Sequence, residues 1–113
     1  MPVSIKRVYE PASEDDGYRV LVDRIWPRGV SKQQARLDEW DKDVAPSTEL
    51  RAWFGHDPAK FQEFRTRYLA ELRDNPGLER LRERAEHGVV TLVYSAHDEM
   101  HNQAVVLRDA VSR

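Results

Sequence analysis

Asp23, Arg24 and Arg28 follow directly on an apolar run in the segment Val20-Leu21-Val22-Asp23-Arg24-Ile25-Trp26-Pro27-Arg28-Gly29. A continuous Val/Leu/Ile run marks a strand buried on both faces. In open α/β sheets, ligands gather beyond the carboxyl ends of such strands. Guanidinium groups placed there present planar forks of donors suited to phosphate or carboxylate. Arg7, near the end of an earlier strand-like stretch, and Lys32, a little further on, extend the cluster. An Asp at a buried strand end needs a partner, and a neighbouring arginine supplies one. The cluster therefore reads in one of two ways: an anion site, or a structural Asp–Arg network that ties a loop to the sheet.

A second stretch with chemical potential is Tyr94-Ser95-Ala96-His97-Asp98-Glu99-Met100-His101-Asn102, between an apolar strand and the last helix. A helix N-terminus offers free N–H groups and the positive end of a dipole. His101 in a first turn there would serve as proton donor, general base or phosphate ligand; the alternative is a histidine that only packs and hydrogen-bonds under a loop. His97 and His101 have the i, i+4 spacing of a helical metal pair. The second position of the string is Asp98, not the Glu that zinc proteases use as base, and His97 falls before the helix, so no metal site is assigned. His56, beside the cap residue Asp57, reads as a structural hydrogen-bonder. Trp26, Trp40 and Trp53 read as core or wall residues, not a base-stacking platform.

These residues need a scaffold. The chain has 113 residues, one domain's worth, with 40% hydrophobic and 34% charged residues. No apolar run approaches the roughly 20 residues of a membrane helix, and the sequence runs straight into strand-like residues with no signal peptide, so the expected location is cytoplasmic with no membrane partner. With no cysteine, disulfides, thiolate metal sites and Cys nucleophiles are excluded. The net charge of −2 argues against a bulk-basic nucleic-acid binder, although Lys6, Arg7, Arg19, Arg24, Arg28 and Lys32 leave room for a local basic patch.

Residues 3–9 and 18–25 read as the first two strands, with a polar connection between them. Ser31 and Gln34 fit a capping box opening a short helix. Residues 37–45 are ambiguous. Ser47 caps a helix to Phe54, and Asp57-Pro58 starts another, whose Phe61, Phe64, Tyr68 and Leu72 form an amphipathic stripe. Asn75-Pro76-Gly77 breaks it. A helix over 78–87 follows, with Leu78, Leu81 and Ala85 on one face and Gly88 as its left-handed cap. Residues 89–94 are the third strand. Asp98 would cap the last helix, with Met100, Ala104, Leu107 and Val111 on one face. The order, β-β-α-α-α-β-α, predicts a small single-domain layered α/β fold over residues 1–113: a short, mostly parallel or mixed sheet flanked by helices. The helical crossover sets the third strand parallel to one of the first two; the relation between those two stays open.

No phosphate-binding Gly loop, dinucleotide turn or Gly-x-Ser-x-Gly elbow is present, and no cofactor is implied. The chain resembles the YeaO-like branch of the DUF488 proteins along essentially its whole length. The resemblance rests on Ile5-Lys6-Arg7-Val8-Tyr9, Asp16-Gly17, the segment Arg19 to Gly29, Ala45-Pro46-Ser47, Trp53-Phe54, His56-Asp57-Pro58 and Thr91-Leu92-Val93-Tyr94 leading to His101-Asn102. It implies a small α/β domain of unknown function. The family's Asp-x-Arg pattern falls on Asp23, with the following arginines differently arranged. Its Cys-His-Arg pattern falls on His101, flanked here by Met100 and Asn102, which removes any thiol chemistry.

The leading expectation is an anion-accepting cleft with two walls. Arg7, Asp23, Arg24 and Arg28, with Lys32 nearby, form one; Tyr94, His101 and Asn102 form the other. A small phosphate- or carboxylate-bearing ligand would bind, Asp23 would orient an arginine, and His101 would transfer a proton if the protein is an enzyme. The alternatives are a non-catalytic nucleotide- or nucleic-acid-associated module using the same basic residues, and a structural Asp–Arg network with a protein partner. An exposed apolar face on residues 37–45 would give a homodimer.

Overall fold

The computed structural model describes residues 3–113; Met1 and Pro2, with which the leaderless reading begins, lie outside them. The elements run β1 (Val3–Arg7), β2 (Tyr18–Leu21), α1 (Lys32–Ala35), β3 (Glu39–Trp40), α2 (Thr48–Phe54), α3 (Phe61–Arg73), α4 (Pro76–Glu86), β4 (Val90–Tyr94) and α5 (Gln103–Val111), with short 3₁₀ turns between. The expected α/β order holds, with a two-residue strand within residues 37–45 and four helices in place of three before the last strand.

The sheet order is β1-β4-β2-β3 and every pair is parallel. The question left open over the first two strands resolves as a parallel arrangement in which β4 lies between them. Val3 to Arg7 pair with Val90 to Tyr94 on one side of β4, and Tyr18 to Leu21 pair with Val90 to Val93 on the other. A central strand of a parallel sheet covered on both faces is buried on both: all five residues of β4 are buried, and its one polar side chain, Thr91, donates to the Asp16 carbonyl.

Alternation divides the core. Val20, Val22, Val90 and Leu92 pack into the larger cluster, with Phe54, Phe61, Phe64, Tyr68, Leu72 and Leu107 from α2, α3 and α5. Leu21 and Val93 face the opposite side, where Val8 and Ala35 join them under Trp26, Val30 and Leu37. The stripe read from α3 is buried at all four positions. Three predicted caps are present: the reciprocal Ser31–Gln34 box on α1, Ser47 on α2, and Asp57 on the turn that leads into α3.

Several boundaries differ from the sequence reading. β2 ends at Leu21, four residues early. Val22 still donates to the Val93 carbonyl, but the Asp23 carboxylate then turns to the loop after β4, and the ladder stops. Asn75-Pro76 starts α4 instead of merely ending α3: Asn75 caps it and proline occupies the first turn, where its missing N–H costs nothing. The α4 C-cap is His87, and Gly88 follows with φ 150. Asp98 does not cap the last helix. It accepts from the Met100 and His101 N–H groups in a separate turn, and Asn102 caps α5 by accepting from Val105 N–H. Met100 therefore leaves the apolar face and is 73% exposed.

The tight β1–β2 connection depends on Gly17. Its φ is 63, and a Cβ there would overlap the Val89 carbonyl. Beside it Asp16 is buried between Lys6 Nζ (2.9 Å) and Arg19 Nη1 (2.5 Å). Arg19 also donates to the Ala35 and Arg36 carbonyls, so one guanidinium ties β2 to the end of α1. Burial opposes ionisation of Asp16, yet hydrogen bonds from Lys6, the Ser13 N–H and Arg19 outweigh it and hold the carboxyl below its ordinary pKa.

Candidate functional site

A cavity of about 520 Å³ opens beyond the carboxyl ends of β2 and β4. Asp23, Arg24, Trp26 and Arg28 line it from the loop after β2, and Ser95 and Ala96 from the loop after β4. Gln103, the first residue of α5, closes one side. Thr48, Arg51, Ala52 and Gly55 of α2 and its cap form the facing wall; their spacing places them on one helix face. The position is the one expected for ligands of parallel sheets.

Asp23 anchors the floor and is 8% exposed. One carboxylate oxygen accepts from the Ser95 N–H (3.1 Å) and Ser95 Oγ (2.5 Å), the other from Gln103 Nε2 (2.6 Å). Burial pushes the Asp23 pKa up, and the hydrogen bonds from Ser95 and Gln103, with the nearby Arg51 charge, offset that only in part. Asp23 thus joins β2, the loop after β4 and α5, a connection none of these elements could make alone. Its backbone carbonyl accepts from Trp40 Nε1 at 2.7 Å, and Trp40 meets Trp26 edge-on at 5.3 Å between centroids. The tryptophans support the loop, as a wall reading requires.

The arginines divide by role. Arg7 donates Nε to the Ala96 carbonyl and Nη2 to the Ser95 carbonyl, and its guanidinium lies over the Tyr9 ring. It buttresses the loop after β4 without lining the cavity. Arg24 lines the cavity, but its Nε and Nη2 hold the Pro46 and Ala45 carbonyls. Arg28 and Arg51 both line the cavity, and neither side chain makes a hydrogen bond or ion pair among the described residues. The Arg28 backbone is fixed instead, its carbonyl accepting from Tyr9 Oη at 2.9 Å.

The second wall is built from other residues than the sequence suggested. Tyr94 is buried in the core, which raises its pKa. Asn102 is spent on capping α5 and on the Asp98 carbonyl. His101 Nδ1 lies 2.8 Å from Asp98 Oδ2, and its ring meets Phe61 edge-on at 5.2 Å. The Met100 N–H, then the His101 ring, hold the Asp98 carboxyl below its ordinary pKa. None of these three residues lines the cavity, and neither does Lys32, exposed on α1. His101 precedes α5 because the helix begins two residues later.

Sequence reasoning passed over Arg51, Ser95 and Gln103 as site residues and read His56 as structural. His56 lines the cavity and holds φ 58, a left-handed conformation that few non-glycine residues adopt. It follows Gly55, also left-handed, so the chain reverses at the cavity rim. The one available signal was the α2 face, whose polar members are Thr48 and Arg51. Among the described residues no group of three or more His, Asp and Glu side chains is placed to hold a metal ion.

A four-stranded parallel sheet with an arginine-bordered cavity beyond its strand ends defines a small α/β protein. The chain belongs to the DUF488 family: the family model described as "Inactive DUF488-N3 subclade" matches residues 2–113. It is 49% identical over 111 residues to the uncharacterized protein YeaO of Escherichia coli (strain K12), covering 96% of each chain. It is also 49% identical over 105 residues to the uncharacterized proteins Mb3100c of Mycobacterium bovis and Rv3073c of Mycobacterium tuberculosis, covering 93% of this chain and 89% of theirs. No solved structure gives a significant match.

Proposed function

We propose that this protein binds a small anionic molecule, a phosphate or carboxylate, in the cleft beyond β2 and β4. The observation that carries this reading is the pair Arg28 and Arg51, two guanidinium groups bordering one cavity with no partner among the described residues. A guanidinium is always charged and offers a fork of donors matched to these anions. Asp23 does not cancel the pair, because its carboxylate is directed into Ser95 and Gln103. It acts as a positioning residue that holds the floor.

The binding form of the proposal is favoured over the enzymatic one. Proton transfer by His101 would need that ring at the ligand, whereas it is held by Asp98 and Phe61 away from the cavity lining. The family's description as an inactive subclade agrees with this choice. A small ligand is also favoured over a nucleic acid. Lys6, Arg7, Arg19 and Arg24 are turned to internal acceptors, which breaks up the stripe that phosphate-backbone binding relies on.

Differential scanning calorimetry against phosphate esters and carboxylates tests the proposal, because a ligand that binds only the native state raises Tm by mass action. Wild type should shift with at least one anion class, and Arg51→Gln should lose that shift while keeping its own Tm. A shift of equal size in Arg51→Gln would reject the site.

A further inference from the structure

Building on the anion-cleft reading, we infer that the ligand is amphipathic: an anionic group carried on a flat apolar body, such as an aryl phosphate or aryl carboxylate, in preference to a bare ion. Three observations carry this. The cavity, at about 520 Å³, lies in the range of drug-sized ligands, roughly 300–1,000 Å³, and a lone phosphate or carboxylate would leave most of it to water. Its lining pairs the arginines with Ile25, Trp26, Pro27, Ala52, Phe54 and Phe64. Ile25 stands at the rim and is 60% exposed, flanked by Arg24 on one side and Trp26 on the other.

Phe54 and Phe64 stack with centroids 4.2 Å apart, and the main core holds them from behind. The apolar wall is therefore rigid. Phe54 and Phe64 are themselves buried, so the accessible apolar surface for a ring is chiefly that of Ile25, Trp26 and Ala52. Ile25 shares the cavity lining with Arg28 and Arg51, the two arginines without a partner among the described residues, so one ligand could cover the apolar side chain and meet the charges. Arg51 sits one helical step from Ala52, so the charged and apolar parts of the wall are adjacent on α2.

Isothermal titration with three probes tests this: phenyl phosphate, inorganic phosphate and phenol. Each is run on wild type, Arg51→Gln and Ile25→Ser. Ile25 is exposed, so its replacement leaves folding intact, and unfolding midpoints verify this. Phenyl phosphate should bind wild type about tenfold or more tightly than inorganic phosphate, through the apolar area that it buries. Ile25→Ser should weaken phenyl phosphate several-fold and leave inorganic phosphate unchanged. Arg51→Gln should weaken both phosphates.

Equal affinity for the two phosphates, or no effect of Ile25→Ser, overturns the amphipathic inference and leaves the anion cleft standing. Phenol binding as tightly as phenyl phosphate, with no effect of Arg51→Gln, rejects the anion cleft itself. Failure of all three probes to bind at millimolar concentration rejects both.

Discussion

Two buried aspartates sit at opposite ends of β2 and titrate in opposite senses. Asp16, paired with Lys6 and Arg19, has its pKa lowered in the folded state. Its contribution to stability is complete above the unfolded carboxylate value, about 3.9, and is lost as pH falls through the lower folded value. Asp23 has its pKa raised, by burial first of all. Its contribution is complete below about 3.9 and is lost as pH rises through the folded value. Urea unfolding from acid to neutral pH separates them. Relative to wild type, Asp16→Asn should lose ground as pH rises from the acid side, whereas Asp23→Asn should gain ground. Curves parallel to wild type for either variant would contradict its assignment. The contrast also explains why an Asp–Arg network and an anion site were hard to separate in the sequence. Both readings expect arginine near aspartate; in the folded chain the pairing falls to Asp16 and Arg19, while Asp23 lines the cavity and is held by Ser95 and Gln103.

Elements with local signals were legible; those created by distant partners were not. Ser31, Ser47 and Asp57 cap their helices through neighbours two or three residues away, so the pattern is contained in a few residues. The aromatic stripe of α3 is likewise periodic in its own sequence. β3, by contrast, has only two residues and exists through pairing with Val20 and Leu21. The start of α5 was misplaced because Asp98 and Asn102 are both good caps, and only the turn that Asp98 closes decides between them. The facing wall of the cleft comes from α2, whose approach to Asp23 depends on the packing of Phe54 against α3. Composition could not show that.

Left-handed residues at element ends offer a test at the same scale. Arg36 (φ 47) ends α1 and is not among the cavity-lining residues, whereas His56 (φ 58) is. Glycine relieves the Cβ clash of this conformation, about 1–2 kcal/mol, against a backbone-entropy cost of roughly 0.5–1 kcal/mol. Arg36→Gly and His56→Gly should each be neutral to slightly stabilising in thermal unfolding. Only His56→Gly should weaken ligand binding. Clear destabilisation of both would show that the side chains, not the backbone, matter there; unchanged binding in His56→Gly would remove His56 from the site.

Six cationic side chains on β1, β2 and around the cleft divide three ways, apart from the surface ion pairs and cation–π contacts made by others such as Arg65 and Arg84. Lys6 and Arg19 join β1 and β2 to the α1 end, Arg7 and Arg24 hold loop carbonyls around the cleft, and Arg28 and Arg51 border the cavity with no partner among the described residues. A chain of net charge −2 thus borders one cavity with three arginines and one aspartate. No helix among the described residues is long and apolar enough to cross a membrane. The parallel sheet supplies the geometry for the site. With β4 inserted between β1 and β2, the loops after β2 and β4 emerge side by side, and Asp23 fastens them together.

The most direct test of the anion cleft is two-dimensional ¹H–¹⁵N NMR of the labelled protein titrated with phenyl phosphate, following the arginine Nε–H, Gln103 side-chain and Ser95 backbone signals. The account predicts saturable shifts concentrated at Arg28, Arg51, Ser95 and Gln103, with Arg19 unmoved. Shifts centred instead on Asp98 and His101, or no saturable shift at any of these groups, would contradict it.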